Sequence, residues 1–302
     1  MRSLRTVAVI LPLLLASCAQ EQEELPTRGT MLGLVCESQH AVMLRQEEEF
    51  ERLYPDARVS LIATSTRDAI VQFLNDSVRF ICVDRALNSE ERRVAGKADI
   101  ALTEIVMAED ALGVIVHPDN PIASISINEL RDVFSGRTTD WASLSRATYS
   151  GSILPALTGR NSGTCELLMR TFLTLDGDPH LACVADSHRN VLDYVGTHRG
   201  ALGIVSVASL RDTARTVRVL AVRTIDSTGS TVTAALHQAN IHMGIYPLHY
   251  PVHVYVRTES RGVPSGFATY MASAPGQKVF LNAGLVPATM PVRLVSLQQP
   301  EE

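Results

Sequence analysis

The stretch MLGLVCESQHAVMLRQEEEFERLYPDARVSLIATSTRDAIVQFLNDSVRFICVDR, residues 31–85, alternates short apolar runs with segments of helical period. It predicts strands at 31–36, 58–63 and 78–83 and helices at about 41–53 and 66–75. This β-α-β-α-β order calls for an α/β fold with a mainly parallel sheet covered by helices, right-handed connections and ligand sites at the carboxyl ends of the strands. The loops that follow those strands hold Glu37 and Ser38, then Thr64, Ser65, Thr66 and Arg67, then Asp84 and Arg85. Each leads into a helix whose first N–H groups lack partners within the helix, and unsatisfied donors at a positive dipole end attract an anion.

Further along, Asn88 with Glu91 and Ser126 with Glu129 have the spacing of capping boxes, and Gly136 closes the second of these helices. Arg160-Asn161-Ser162-Gly163-Thr164 sets a planar cationic fork beside two hydroxyls, an unhindered amide and another helix start. A tetrahedral oxyanion requires several convergent donors, and arginine can engage two of its oxygens at once. The same five residues would also serve as a plain Ser N-cap with an arginine in solvent. An anion held between two lobes needs donors from both, so Ser38, the hydroxyls of 64–66 and Arg85 form the expected opposing set.

The chain has 302 residues, enough for two lobes of ordinary size. Arg2 and Arg5 precede an apolar run from Val7 to Leu15 that is too short to span a bilayer and is interrupted by Pro12, which reads as a signal peptide over 1–17. Leu15-Ala16-Ser17-Cys18 looks like a bacterial lipobox, so Cys18 is expected to be acylated, with 18–27 as a tether. Without the leader, 25 basic residues face 32 acidic ones, a net charge of −7 that argues against a nucleic-acid partner. An oxidising compartment permits pairing among Cys36, Cys82, Cys165 and Cys183; Cys165 and Cys183 flank one helix and its following loop and are the pair to test, while buried free thiols in apolar strands suit Cys36 and Cys82 better.

The chain carries no G-x-S-x-G elbow, P-loop, HExxH or G-x-G-x-x-G motif, so neither catalysis nor a cofactor is expected. His249 and His253 lie between prolines in an alternating run, which argues extended chain and against a helical metal pair.

DALGVIVHPDNP at 110–121, SINELRDVFSGRTTDW at 126–141, NSGT at 161–164, GALGIVS at 200–206, YPLHYPVHVYV at 246–256 and GQKVFLNAGLVP at 276–287 occur in an order and spacing that resemble the phosphate-binding component of bacterial phosphate ABC transporters. That family has the type 2 periplasmic-binding-protein fold, and the resemblance spans nearly all of the mature chain. It implies a discontinuous first lobe at 28–112 and 249–302, a second lobe at 113–248, and a hinge of two crossing strands. It implies that Ser38, Arg85, Arg160, Ser162, Gly163 and Thr164 line an oxyanion site. Two departures stand out: ATSTRDA at 63–69 replaces a Gly-Ser-Gly type loop, and the arginine lies closer to Ser-Gly-Thr than is usual in the family.

Phosphate near neutral pH carries a proton, so a selective site needs a buried carboxylate acceptor, which fully ionised sulfate cannot satisfy. Glu37, Asp68 and Asp84 are the candidates, and Glu37 ranks first for its place beside Ser38. The expected function is capture of inorganic phosphate for an inner-membrane ABC permease by an exported protein, in the periplasm or at the cell surface, held to a membrane by its lipid. The alternatives are another oxyanion such as sulfate or molybdate, a ligand-sensing lipoprotein, or a surface hydrolase using Ser162 with His180 or His188.

Overall fold

In the computed structural model, residues 25–289 are described, apart from 146–148, 175–176, 211–215 and 226–227. The leader over 1–17, Cys18, most of the tether and residues 290–302 lie outside them. The alternation at 31–85 becomes β1 (Gly29–Cys36), α1 (Glu37–Leu53), β2 (Ala57–Thr64), α2 (Thr66–Leu74) and β3 (Phe80–Val83). One boundary differs in a way that matters for the site. Helix α1 begins at Glu37, four residues before the expected start, because Glu37-Ser38-Gln39-His40 contains no breaker and Glu37 suits the positive end of the helix. Ser38 therefore sits on the first helical turn, where the sequence predicts a loop.

Next come α3 (Ser89–Lys97) and β4 (Leu102–Val116), a 15-residue strand. Beyond it run β5 (Ser124–Ser126), α4 (Ile127–Phe134), β6 (Leu154–Thr158), α5 (Gly163–Glu166), β7 (Cys183–Ala185), α6 (His188–Thr197), β8 (Ala201–Ser206), β9 (Arg218–Val219), β10 (Ala221–Ile225), β11 (Thr231–Ala234) and α7 (Gln238–His242). The chain returns through β12 (His249–Arg257), with α8 (Val263–Ala272), α9 (Ala274–Asn282) and β13 (Val286–Pro287) after it. Helix α5 continues into a π-helical segment, Leu167–Phe172. Both expected capping boxes form, Asn88 with Glu91 and Ser126 with Glu129, and Gly136 takes a left-handed φ of 76° after α4.

The main sheet has the order β2-β1-β3-β12-β4-β8-β6-β7. It is parallel towards both ends, but β12 runs antiparallel to β3 and β4, and β4 antiparallel to β8. The sheet is therefore more mixed than its sequence order predicts. Strand β4 carries the chain out and β12 brings it back beside it, so the two must oppose each other. Residues 102–111 of β4 pair with β12 and 112–116 with β8, so one strand joins the two halves of the sheet. A register shift at Val252/His253 interrupts the crossing ladder, and such bulges bend strands locally.

Two lobes result, each with its own buried core. Met31, Val35, Phe50, Phe80, Phe267 and Phe280 anchor the first. Phe134, Trp141, Leu168, Leu202 and Tyr246 anchor the second, where Trp141 Nε1 donates to Gly200 O at 3.1 Å. All four cysteines here are free thiols. Cys165 packs with the Trp141 core while Cys183 lies on β7 against a separate cluster around Ala156 and Val191, so flanking one helix does not bring the two together. Among the described residues, no helix is long and apolar enough to cross a membrane.

Candidate anion-binding cleft

The strand-to-helix junctions of the two lobes face each other across a narrow cleft. From the first lobe, Ser38 enters on the first turn of α1, Thr66 on the first turn of α2, and Asp84 just past β3; all three are buried. Ser38 Oγ donates to Asp84 Oδ2 at 3.0 Å and Thr66 Oγ1 to Asp84 Oδ1 at 2.6 Å, so the carboxylate is fixed by two hydroxyls. Ser65 is spent on capping α2, accepting from Asp68 N at 3.1 Å.

From the second lobe, Ser162 caps α5 by accepting from Cys165 N at 3.1 Å and shares a 2.7 Å hydrogen bond with Thr158 Oγ1. Gly163 lies against the Asp84 carboxylate so closely that an added Cβ would stand 1.7 Å from Oδ1 and 2.2 Å from Cγ. Thr164 Oγ1 meets His188 Nε2 at 2.9 Å. Ser206 Oγ reaches across to donate to Ser38 O at 3.2 Å. In this closed arrangement the loops leave no room for a water molecule between them.

Burial raises the Asp84 carboxyl above its ordinary value, against the opposing pull of the Thr66 and Ser38 hydroxyls. Burial likewise pushes His188 down to about 4, which leaves its ring neutral. A second buried carboxylate, Asp110, stands at the strand crossing, where Gln39 Nε2 donates to it at 2.6 Å, Tyr250 OH at 2.9 Å and Ala111 N at 2.7 Å; burial carries it up to about 6.

Ser38, Thr66, Asp84, Ser162, Gly163 and Thr164 thus meet, with Glu37, Thr64 and Ser65 at the rim. Glu37, ranked first among the candidate acceptors, lies at the rim of the pocket and Asp84 deeper within it. Neighbouring residues on a helix do not share a face, so with Ser38 turned inward Glu37 points to the cleft mouth, and Asp84 holds the inner position.

The two arginines do not line this pocket; both line an adjoining open cleft of about 610 Å³. Arg85 follows Asp84 but turns the other way, binding both oxygens of Glu91 at 2.8 and 2.9 Å and reaching Glu166 on the opposite lobe at 2.8 Å. Arg160 is 69 % exposed and paired with Asp178, because the turn closed by Ser162 N to Gly159 O at 2.9 Å directs it outward. Sequence reasoning missed Thr158 and Ser206 as site residues and named His188 only as a distant partner for Ser162; each acts through a partner that is near in space, and only Thr158 is near in sequence. The Arg85–Glu166 contact ties one lobe to the other in this closed arrangement. Glu166→Gln is expected to speed ligand release about two- to fivefold in stopped-flow measurements, as a partly exposed ion pair allows, and the difference should shrink in high salt.

Comparison with known proteins agrees with this architecture. The chain is 24% identical over 265 residues to protein SphX of Synechococcus elongatus, covering 85% of this chain and 77% of that one. It is 24% identical over 250 residues to the phosphate-binding protein PstS of Bacillus subtilis, covering 82% and 77%. A Clostridium perfringens protein assigned as a phosphate ABC transporter substrate-binding protein, solved with bound phosphate, superposes with a TM-score of 0.74 at 18% identity, covering 86% of this chain and 100% of that one. The family model described as PBP superfamily domain matches residues 20–275, and the chain therefore belongs to the PBP superfamily.

Proposed function

We propose that the protein captures inorganic phosphate between its lobes and delivers it to an ABC permease. The observation that carries this reading is Asp84, a buried carboxylate set among hydroxyls of one lobe and pressed against Gly163 of the other. A protonated phosphate offers it a donor, whereas sulfate would bring two acceptors face to face. The hydroxyls of Ser162 and Thr164 are donors for the remaining oxygens, and those of Ser38 and Thr66, which donate to Asp84 in the empty cleft, join them once the ligand's own proton takes their place on the carboxylate. The relatives named as phosphate-binding support the same ligand.

The moving units in this reading are 28–112 with 249–302, and 113–248, hinged where β4 and β12 cross; closure excludes water and presents the liganded form to the permease. The leader over 1–17 directs export, and acylation of Cys18 holds the protein to a membrane, in keeping with the Leu-Ala-Ser-Cys motif. A hydrolytic role is disfavoured, because Ser162 Oγ is engaged by Thr158 and the α5 N-terminus while His188 is committed to Thr164, Ser206 and Ser209.

Calorimetric titration of the mature body lacking Cys18, stripped of ligand by unfolding and refolding, tests the function. Phosphate should bind and sulfate should not displace it; absence of heat with either anion would remove the phosphate reading.

A further inference from the structure

The hydrogen bonds around His188 assign a direction to each proton at the Thr164 corner of the cleft. His188 is buried at the start of α6 with both ring nitrogens engaged. The backbone N–H of Ser206 points at Nδ1 at 3.2 Å, and an amide N–H can only donate. Nδ1 is therefore an acceptor without a proton. The ring is neutral, as its burial requires, so the single proton lies on Nε2 and is donated to Thr164 Oγ1 at 2.9 Å. The Ser209 hydroxyl, 3.0 Å from Nδ1, is compatible with this tautomer as a second donor or by turning towards Ser206 Oγ at 3.1 Å.

A hydroxyl that accepts from His188 has its own proton left over. Thr164 Oγ1 has no acceptor for it among the described residues, and Thr164 and His188 line the same pocket as Asp84. We propose that His188 is a positioning residue for ligand capture: by donating from Nε2 it forces the Thr164 hydroxyl to present its proton to the cleft, fixing one corner as a donor opposite the Asp84 acceptor. A pocket polarised in this way prefers an oxyanion with an ionised oxygen at the Thr164 corner and a protonated one at Asp84. The ligand half of this statement rests on the phosphate reading, while the proton direction does not.

Two measurements test it. In ¹⁵N-labelled wild-type protein, with the His188 ring assigned by its loss in His188→Gln, Nδ1 should resonate as an unprotonated nitrogen and Nε2 as a protonated one. The reverse tautomer, or a doubly protonated ring at neutral pH, overturns the proposal without reference to any ligand. In phosphate titrations, His188→Leu should weaken binding by about tenfold or more, the scale of a lost hydrogen bond to a charged group. His188→Gln, which keeps an N–H donor at that reach, should recover most of the loss. Thr164→Val should cost about as much as His188→Leu, and the double variant no more than Thr164→Val alone. Full affinity in His188→Leu, or losses that add in the double variant, would overturn the positioning role. A wild-type protein that binds no phosphate refutes the phosphate reading instead, and the tautomer still decides the orientation of Thr164.

Discussion

Replacing Asp84 with asparagine is expected to weaken phosphate binding by about 2–5 kcal/mol, the cost of removing one partner of a buried, charge-assisted hydrogen bond. Sulfate should gain relative to phosphate, because the amide offers N–H donors where the carboxylate offered only acceptors. The ligand-free protein should at the same time become more stable. Asp84 is buried with hydroxyl partners and has no ion pair among the described residues, and burial raises its carboxyl above the unfolded value. A raised carboxyl means that the folded state holds its proton to higher pH, so this group favours folding at low pH and loses that advantage as pH rises through its folded value. At neutral pH the wild type bears that cost and Asp84→Asn does not. Calorimetry for affinity, with thermal melts at two pH values, checks both halves; weaker binding without the stability gain would mean that Asp84 is not held as a buried anion in the empty closed form.

Gly163→Ala is expected to separate folding from capture. Gly163 begins α5 with an ordinary backbone, so alanine is welcome in the second lobe itself. In the closed form, however, its Cβ would lie 1.7 Å from Asp84 Oδ1 and 2.2 Å from Cγ, and the short aspartate side chain is already fixed by Ser38 and Thr66. Overpacking of this kind costs roughly 1–3 kcal/mol, which falls on closure alone because the two residues belong to different lobes. Affinity should drop by roughly 5- to 150-fold with the melting temperature nearly unchanged. A fall in melting temperature with unchanged affinity would show that the contact supports folding and not closure.

Much of this was legible in the sequence, for local reasons. The alternation at 31–85 repeats the β and α periods cleanly, and the two capping boxes depend on residues only three apart. Ser162-Gly163-Thr164 was legible because an N-cap, a bare amide and a hydroxyl coincide at one helix start. The arginines lie outside the inner pocket because a guanidinium goes where its carboxylates are, and Glu91, Glu166 and Asp178 are assembled by tertiary contacts. Glu37 was preferred to Asp84 because the early start of α1, which sets the helical phase of the pair, has no strong marker: Cys36 at the N-cap makes no side-chain cap. His188 was seen only as a distant histidine, since its partner Thr164 is 24 residues away and Ser206 a further strand beyond. Cys165 and Cys183 stood out because they flank one helix and its following loop, whereas the packing of separate clusters keeps them apart.

The most direct test of the central claim is a crystal structure of the refolded mature body grown with phosphate. One phosphate is expected between the lobes, with an oxygen within hydrogen-bond distance of the Asp84 carboxylate and others on Ser38, Thr66 and the Ser162–Thr164 turn. Phosphate seated instead among Arg67, Arg85 and Arg160 in the outer cleft, with Asp84 still closed on Gly163, would contradict it.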